Sequence, residues 1–326
     1  MSRNDAGPSI FVSIASYRDP ELVPTVGDCL AKARYPERLR FGVCWQHGCD
    51  ERLPAWFDGE NVSVLAVGWQ QSGGACWARA AIMDLWEGED WYLQLDSHHR
   101  FAHDWDVRLL EQVAATASPL PSLSTYGTPY SPGVDDGPPA RITQMEFDRF
   151  TDSGAILTRP GIVGEWNSER PIRARYLSAH FLFAPGRFVD DVPYDPQLYF
   201  TGEETTLTVR AYTHGYDLFH PGVPILSHEY TREYRTKHWD DHGRGRQVPI
   251  GWDLRDATSH ARVERFLSTP MPTFYGLGTA RAFSDYERYA GIDFRNRRVR
   301  RYTLANLEPP DPQGSDWATI PDPSRT

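Results

Sequence analysis

The sequence lacks the features that would place it in a membrane or on nucleic acid. No apolar run approaches the roughly 20 residues of a membrane-spanning helix. Residues 1–8 are polar and lack the apolar core of a signal peptide. The formal net charge is -10, whereas a general nucleic-acid binder usually carries a basic surface. We therefore predict a cytoplasmic protein with neither membrane nor nucleic acid as a partner.

Cysteine is scarce, and its distribution argues against a disulfide framework. The four cysteines all fall in the first quarter of the chain, and no Cys-x-x-Cys pair occurs among them. Cys44 and Cys49 are too close in sequence to close a long structural loop. A reduced compartment with buried free thiols is the simpler interpretation. Internal repeats and a glycine-rich phosphate loop are also absent from the sequence, which argues against repeat architectures and P-loop nucleotide binding.

The composition supports a sizeable folded core. Apolar residues make up 40% of the chain, which includes 11 Trp, 16 Tyr and 15 Phe. A chain of 326 residues can form one large α/β domain with an extension, or two small domains.

The first hundred residues alternate between predicted strands and helices. Short apolar runs predict buried strands at Ser9–Ala15, Leu39–Trp45, Val62–Val67 and Trp91–Leu95. Helical spacing predicts helices at Glu21–Ala33 and Ala75–Trp86. This β-α-β-β-α-β order is typical of an α/β nucleotide-binding sheet. Later in the chain we expect a helix at Thr205–Thr213 and one or two short strands within Leu218–His228. Residues 307–326 are rich in Pro, Asp and Ser, which predicts a disordered tail.

The predicted strand Trp91–Leu95 ends abruptly in Asp96, Ser97 and His98. In open α/β sheets ligands bind at the carboxyl ends of the strands. Asp96 offers a hard oxygen and His98 a neutral nitrogen, a pair that can ligate Mn²⁺ or Zn²⁺. The alternative is a turn in which Asp96 caps a helix and the histidines are solvated. For an isolated Asp-x-His this alternative is favoured, because short motifs often occur by chance.

Five blocks are spread along the chain: Phe11-Val-Ser-Ile-Ala-Ser-Tyr-Arg-Asp19, Gly74-Ala-Cys-Trp-Ala-Arg79, Leu95-Asp-Ser-His-His-Arg-Phe101, Gly202-Glu-Glu204 and Ser227-His-Glu-Tyr-Thr-Arg232. Together they resemble one enzyme family, the UDP-GlcNAc polypeptide N-acetylglucosaminyltransferases that modify hydroxyproline on a cytosolic protein. The resemblance extends from about Ser9 to Phe294, and the chain is more distantly similar to the mucin-type GalNAc-transferases.

The resemblance implies a GT-A fold over residues 8–294, with a C-terminal extension, and retaining transfer from a UDP-sugar. It also implies a divalent metal, Mn²⁺ first and Mg²⁺ as the alternative, held by Asp96, His98 and His228. A metal ion serves as the Lewis acid for a departing UDP. The donor sugar, GlcNAc or Glc, Gal or GalNAc, and the acceptor, a protein, peptide or small-molecule hydroxyl, stay open.

The resemblance further implies donor contacts and catalytic carboxylates. Guanidinium groups suit bidentate phosphate contact, although ordinary surface arginines remain the alternative. Carboxylates in a first helical turn are also favoured by the helix dipole, so part of their presence needs no function. The expected donor contacts are Ser16, Tyr17, Arg18, Arg79, Asp96 and Ser97, and the expected catalytic residues are Glu203 and Glu204.

Two other functions use the same sequence features. A metal-dependent phosphoesterase or pyrophosphatase could employ the Asp and His cluster, although such enzymes usually need more clustered ligands. A non-catalytic sugar-binding module would keep aromatic walls without needing a metal. The charged and aromatic segment Tyr234–Arg246 resembles a mobile loop that closes over a nucleotide sugar and excludes water.

Overall fold

A computed structural model describes residues 7–134, 139, 141–162, 169–231, 233–243 and 245–318 of the chain. In chain order its strands are β1 (Ile10–Tyr17), β2 (Leu39–His47), β3 (Val62–Gly68), β4 (Trp91–Asp96), β5 (His99–Phe101), β6 (Pro121–Leu123), β7 (Thr128–Pro129), β8 (Thr143–Phe150), β9 (Ile156–Ile162), β10 (Ile172–Arg173), β11 (Phe181–Pro185), β12 (Asp217–His220), β13 (Leu226–His228), β14 (Ile292–Asp293), β15 (Arg298–Arg300) and β16 (Trp317–Ala318). Its helices are α1 (Leu22–Lys32), α2 (Ala75–Met83), α3 (Trp105–Ala115), α4 (Phe188–Asp191), α5 (Glu203–Thr213), α6 (His238–Asp241), α7 (Trp252–Ser268), α8 (Phe283–Ala290) and α9 (Arg301–Leu304).

An eight-stranded mixed sheet forms the centre of the fold. Its strand order is β10-β12-β6-β11-β4-β1-β2-β3. β1 runs parallel to both β2 and β4, and β3 extends the parallel half beyond β2. β11 is antiparallel to β4 and to β6. The carboxyl ends of β1 and β4 therefore meet at one edge, next to the point where the sheet changes from parallel to antiparallel pairing.

Alternating side chains along the central strands fill two cores, one on each face of the sheet. Val12 and Leu93 belong to one core, with α1 and α3 packed over them. Phe11 and Tyr92 belong to the other, which α2, α5 and α8 cover. Near-continuous apolar runs are typical of strands buried on both faces. Each such fully buried large apolar side chain contributes about 1.5–3 kcal/mol.

A small second sheet brings a distant part of the chain to the carboxyl end of β4. β13 pairs antiparallel with β5, so that His228 lies opposite His99. β7 joins the other side of β13 in parallel. Since only two residues separate the end of β4 from the start of β5, the pairing places His228 beside the Asp96–His98 turn.

Residues 307–318 pack against the domain, so the prediction of a disordered tail is corrected for this stretch. Arg175 donates to the backbone oxygen of Leu307 at 2.6 Å and to Oδ1 of Asp311 at 2.8 Å. Both side chains of this ion pair are almost fully buried. β16 then pairs with β15. A buried arginine needs an anionic partner, and the tail supplies it. Residues 319–326 lie outside the described residues.

The predicted strands and helices of the first hundred residues are confirmed, with changed ends. β1, β2, β3 and β4 extend one or two residues further than predicted, and α2 ends three residues earlier. The prediction of free thiols is confirmed, although Cys49 is exposed while the other three are buried. Within the described ranges, no helix is both long enough and apolar enough to cross a membrane.

Candidate functional site

Asp96, His98 and His228 bring three ligand atoms together at the carboxyl end of β4. Oδ2 of Asp96 lies 3.6 Å from Nε2 of His98 and 3.5 Å from Nε2 of His228. All three atoms lie within 4.8 Å of one another. One carboxylate oxygen with two imidazole nitrogens is a ligand set that Mn²⁺ and Zn²⁺ accept. The fold thus gathers the three residues expected to hold a metal.

The two ring nitrogens of His228 are buried and lack hydrogen bonds within the described part of the chain. Neither nitrogen has a hydrogen-bond partner among the described residues, and the side chain is 3% exposed. Leaving a buried polar group unpaired costs about 1–3 kcal/mol. Burial also lowers the pKa of His228 well below its ordinary value, so the ring stays neutral and keeps a lone pair. Neutral imidazole is the form that binds a metal, so the residues fit a metal ion.

Asp19 holds the ring of His98 in place. Its Oδ2 lies 2.7 Å from Nδ1 of His98 and accepts a hydrogen bond from Oγ of Ser97 at 2.7 Å. The Asp19 side chain is fully buried. A carboxylate partner on one ring nitrogen orients a metal-binding histidine and leaves the other nitrogen for the metal. No local motif singles out Asp19, although it ends the block Phe11–Asp19.

A cleft of about 770 Å³ opens beside the three residues. Arg235 and Lys237 bring positive charge to its lining, and among the described lining residues Asp96 is the one carboxylate. Aromatic rings offer flat apolar faces for a ligand. The aromatic lining residues other than histidine are Tyr17, Tyr199, Phe200 and Trp239. The cleft therefore suits an anionic ligand that carries a ring.

Arg79 is buried between two carboxylates. Its Nη2 lies 2.5 Å from Oδ1 of Asp96, and its Nη1 pairs with Glu203. Burial acts to raise the pKa of Asp96, but the charge of Arg79, and after it the contacts with His228 and His98, outweigh burial and hold that pKa well below its usual range. Arg79 and Glu203 lie behind Asp96 and outside the cleft lining. Direct roles for them with a donor or in catalysis stay predictions.

Glu204 points to a different part of the domain. Its Oε1 accepts hydrogen bonds from Oγ of Ser178 at 3.0 Å and from the backbone N–H of Ala179 at 2.9 Å. Burial raises the pKa of Glu204 to about 7. In this position the side chain ties the start of α5 to the segment before β11, and its catalytic role stays a prediction.

The other expected donor contacts divide between the cleft and its surroundings. Tyr17 and Ser97 line the cleft. Oη of Tyr17 donates to Oδ2 of Asp241 at 2.9 Å, and Arg18 pairs with the same oxygen at 2.8 Å. Ser16 is buried in β1, and its Oγ has no hydrogen-bond partner within the described part of the chain. Ser16 and Arg18 are outside the cleft lining.

The segment predicted as a mobile loop forms one wall of the cleft. Nδ1 of His238, at the start of α6, lies 2.8 Å from Oη of Tyr199. Nε2 of His242 lies 2.9 Å from the backbone oxygen of Trp69. Together with the contacts of Asp241, these bonds attach the segment to β1 and to the residues after β3.

Arg235, in the same segment, contacts the candidate metal ligands directly. Its Nη1 donates to Oδ2 of Asp19 at 2.8 Å, and its Nη2 lies 3.0 Å from Nε2 of His98. That ring nitrogen is the one a metal would use, so metal binding requires Arg235 to move. The sequence signalled only a charged and aromatic stretch here, with no reason to select this arginine.

A second group of possible metal ligands shares His228 with the first group. His99, His180 and His228 also place ligand atoms within 4.8 Å of one another. Nε2 of His99 and Nδ1 of His180 are 3.2 Å apart, so their contact engages one nitrogen of each ring. Burial lowers the pKa of His180 to about 4. The group containing Asp96 is the better cation site because it includes a negative charge.

Comparisons with known proteins bear on the family and the fold of the chain. A family model described as Glycosyltransferase (GlcNAc) matches residues 9–56 and 50–296. The chain is similar to a structure of GalNAc-T7 with UDP, GalNAc and Mn²⁺, with a TM-score of 0.58 and 15% identity over 86% of this chain and 50% of that chain. The chain thus spans half the length of that relative. It also resembles residues 1–349 of TarS from S. aureus, with a TM-score of 0.46 and 12% identity over 80% and 72% of the two chains. No curated protein sequence matches. The fold is the GT-A fold.

Proposed function

The chain belongs to the glycosyltransferase family described as Glycosyltransferase (GlcNAc), and from this premise we propose that it transfers GlcNAc from UDP-GlcNAc to an acceptor hydroxyl. The acceptor hydroxyl belongs to a protein, a peptide or a small molecule. One observation carries the proposal: Asp96, His98 and His228 converge beside a cleft with aromatic and basic walls. That combination matches the needs of a ring-bearing diphosphate donor.

The proposed metal is Mn²⁺, with Mg²⁺ as the alternative. Two imidazole ligands favour Mn²⁺ over Mg²⁺, which prefers oxygen ligands. Asp96, His98 and His228 would hold the ion, which as a Lewis acid would neutralise the charge that grows on the leaving diphosphate. The structure of GalNAc-T7 with UDP and Mn²⁺, which shares the fold, supports this choice.

The chain's own residues prepare the site for that leaving group. Arg79 binds Oδ1 of Asp96 and leaves Oδ2 directed towards the two histidines. Arg235 and Lys237 offer positive charge to the donor phosphates, because both line the cleft. Residues 235–242 cover one side and exclude water, which strengthens these electrostatic contacts.

We propose that the reaction retains the anomeric configuration. An inverting enzyme needs a base placed to deprotonate the acceptor opposite the leaving group. Among the described residues lining the cleft, the one carboxylate is Asp96, which faces Arg79 and the candidate metal ligands. No free carboxylate lies among these described residues, and burial lowers the pKa of the cleft-lining His238 to about 3, which makes it a weak base. A phosphate oxygen of the departing UDP therefore takes the acceptor proton. The product from an α-linked UDP-sugar is then α-linked.

Release of UDP from four UDP-sugars, with Mn²⁺ and with EDTA, tests the proposal. We expect metal-dependent turnover that is fastest with UDP-GlcNAc. His228→Ala should abolish it, whereas His220→Ala, at a buried histidine whose Nδ1 contacts the backbone oxygen of Ser124 at 2.7 Å, should not. Full activity in EDTA, or release of inorganic phosphate from simple esters instead of UDP, would contradict the proposal.

The anomeric proton coupling of the product decides the stereochemistry. A small coupling indicates the expected α-linkage, and a large coupling indicates inversion. Inversion would point to His238, which lines the cleft and whose Nε2 has no hydrogen-bond partner in the described ranges. His238→Gln would then remove transfer while leaving Mn²⁺ binding intact.

A further inference from the structure

A second cavity, open to solvent, lies next to the donor cleft without sharing a lining residue with it. Asp195 and Leu198 line this cavity, whereas Tyr199 and Phe200, which follow directly, line the cleft. The remaining walls come from α5, from the second half of α7 and from residues 269–276. The cavity therefore has its own side chains and its own chemistry.

Arg210 lines this cavity with an incompletely paired guanidinium group. The residue is 3% exposed, and its Nε donates to the backbone oxygen of Gly276 at 3.2 Å. Its Nη2 is buried and has no hydrogen-bond partner among the described residues. A buried cation without full compensation is costly, and burial lowers the pKa of Arg210 to about 10. An anion reaching this group would satisfy it.

The charge of the cavity is positive although the chain as a whole is acidic. Arg262 is paired with Asp195, and the exposed Arg265 adds a further cation to the lining. The described lining thus contains three arginines and one carboxylate. In a chain with a net charge of -10, this local excess attracts anions.

Apolar side chains line the cavity beside its arginines. Phe274 is 72% exposed and Met271 is 60% exposed, and both line the cavity with Tyr275. The loop that carries them is tightly folded, because a Cβ at Gly276 would lie 2.2 Å from the backbone oxygen of Met271. The same glycine provides the oxygen bonded to Arg210, so the loop and the buried cation are held together.

We propose that this cavity is a binding site for an anionic group, a carboxylate or a phosphate, carried on an aromatic or apolar body. The anion pairs with the guanidinium groups of Arg210 and Arg265, and the body packs on Phe274. Charge-assisted contacts to arginine are the strong hydrogen bonds in proteins, and an aromatic face adds stacking. The site is independent of the metal and of the sugar donor.

Calorimetric titration in EDTA tests this site with phenyl phosphate, benzoate, inorganic phosphate and uncharged phenol. The two aromatic anions distinguish a phosphate from a carboxylate ligand, and binding of either supports the site. We expect phenyl phosphate to bind about three- to tenfold more tightly than inorganic phosphate, because of the added aromatic contact. Hydrogen exchange should slow at residues 262–276 when phenyl phosphate is added. Equal binding of phenol, or protection elsewhere only, would overturn the proposal.

Variants separate this cavity from the donor cleft. Arg210→Met should weaken phenyl phosphate binding roughly tenfold or more, since a charge-assisted contact is lost. Arg265→Gln, at an exposed position, should weaken binding severalfold, and Phe274→Ala should remove the preference for phenyl phosphate over inorganic phosphate.

Arg281→Gln is the matched control, because Arg281 pairs with Asp217 outside the cavity, and it should leave affinity unchanged. Lys237→Gln, in the lining of the donor cleft, should also leave affinity unchanged, which shows that the ligand is not in the donor cleft. If Arg210→Met does not fold, Arg265→Gln and Phe274→Ala decide the question. Wild-type affinity in both of these variants would refute the assignment.

Discussion

Replacing Asp19 with Asn tests whether a buried carboxylate prepares His98 for a metal ion. Oδ2 of Asp19 lies 2.7 Å from Nδ1 of His98 and accepts hydrogen bonds from Ser97 at 2.7 Å and Arg235 at 2.8 Å. Oδ1 accepts the backbone N–H of Glu21 at 3.0 Å. Asn keeps the shape and one oxygen, but its amide group can only donate. The substitution therefore removes the charge and about half of the acceptor positions.

The expected size of the effect follows from these contacts. Loss of a carboxylate that orients a ligating histidine typically costs about 10- to 100-fold in metal affinity, equal to about 1.4–2.7 kcal/mol. We expect a loss of stability of about 1.5–3 kcal/mol, the usual value for hydrogen bonds to charged groups. Breaking a fully buried pair costs more, about 3–5 kcal/mol, but the Arg235 side chain is 13% exposed and can turn to solvent.

The stability difference should depend on pH. Burial acts to raise the pKa of Asp19, but His98 and then Arg235 outweigh burial and hold it below its ordinary value. A carboxyl group with a lowered pKa contributes stability above its unfolded pKa of about 3.9 and loses it as the pH falls through the folded pKa. The difference between wild type and Asp19→Asn should therefore be full at pH 7 and shrink below about pH 4.

Titration of Mn²⁺ followed by electron paramagnetic resonance measures the affinity, and thermal unfolding measures the stability. Asp311→Asn is the matched control, because Asp311 is also buried and accepts hydrogen bonds from Arg175 at 2.8 Å and Thr303 at 3.1 Å. The control should lower the melting temperature without changing Mn²⁺ affinity. A folded Asp19→Asn protein that binds Mn²⁺ as tightly as wild type would refute the proposed role of Asp19.

Three further substitutions test side chains in the site and at the start of α5. Glu203→Gln leaves Arg79 with one charged carboxylate partner, and we expect turnover to fall tenfold or more, equal to about 1.4 kcal/mol of barrier; an unchanged kcat would assign Glu203 to the helix start alone. Burial raises the pKa of Glu204 to about 7 from an ordinary 4.5, so stability from this group is present below about pH 4.5 and is lost as the pH rises through 7. Glu204→Gln should therefore reduce the fall in melting temperature between pH 5 and pH 8. An unchanged pH profile would show that this fall does not come from Glu204. Arg235→Met frees Nε2 of His98 and should tighten Mn²⁺ binding without nucleotide while slowing turnover; weaker Mn²⁺ binding would show that Arg235 supports the metal site.

The parallel half of the sheet was predictable because each of its strands contains its own apolar run. β1 and β4 are buried on both faces, so their composition signals a strand without reference to the rest of the chain. The packed segment 307–318 was not predictable in this way. Its order depends on the pairing of Asp311 with Arg175, which is 136 residues away, and its polar composition is typical of a disordered tail.

The residues of the candidate site likewise divide into those that the local sequence predicted and those that it did not. Asp96 and His98 stand two residues apart at the end of a recognisable strand, so local spacing pointed to them. His228 came from the resemblance to a family, because the pairing of β13 with β5 leaves no local signal. Asp19 and Arg235 acquire their roles only through contacts across the fold. Residue type and spacing therefore revealed metal ligands more readily than the side chains that orient them.

We propose that Asp96, His98 and His228 together hold one divalent cation beside the donor cleft. Anomalous diffraction at the manganese edge, from crystals soaked with UDP and Mn²⁺, locates that ion. We predict one strong peak bonded to a carboxylate oxygen of Asp96 and to Nε2 of both histidines, with Arg235 displaced from His98. A peak bound instead by His99, His180 and His228, or an ion held by the diphosphate alone, would contradict the account.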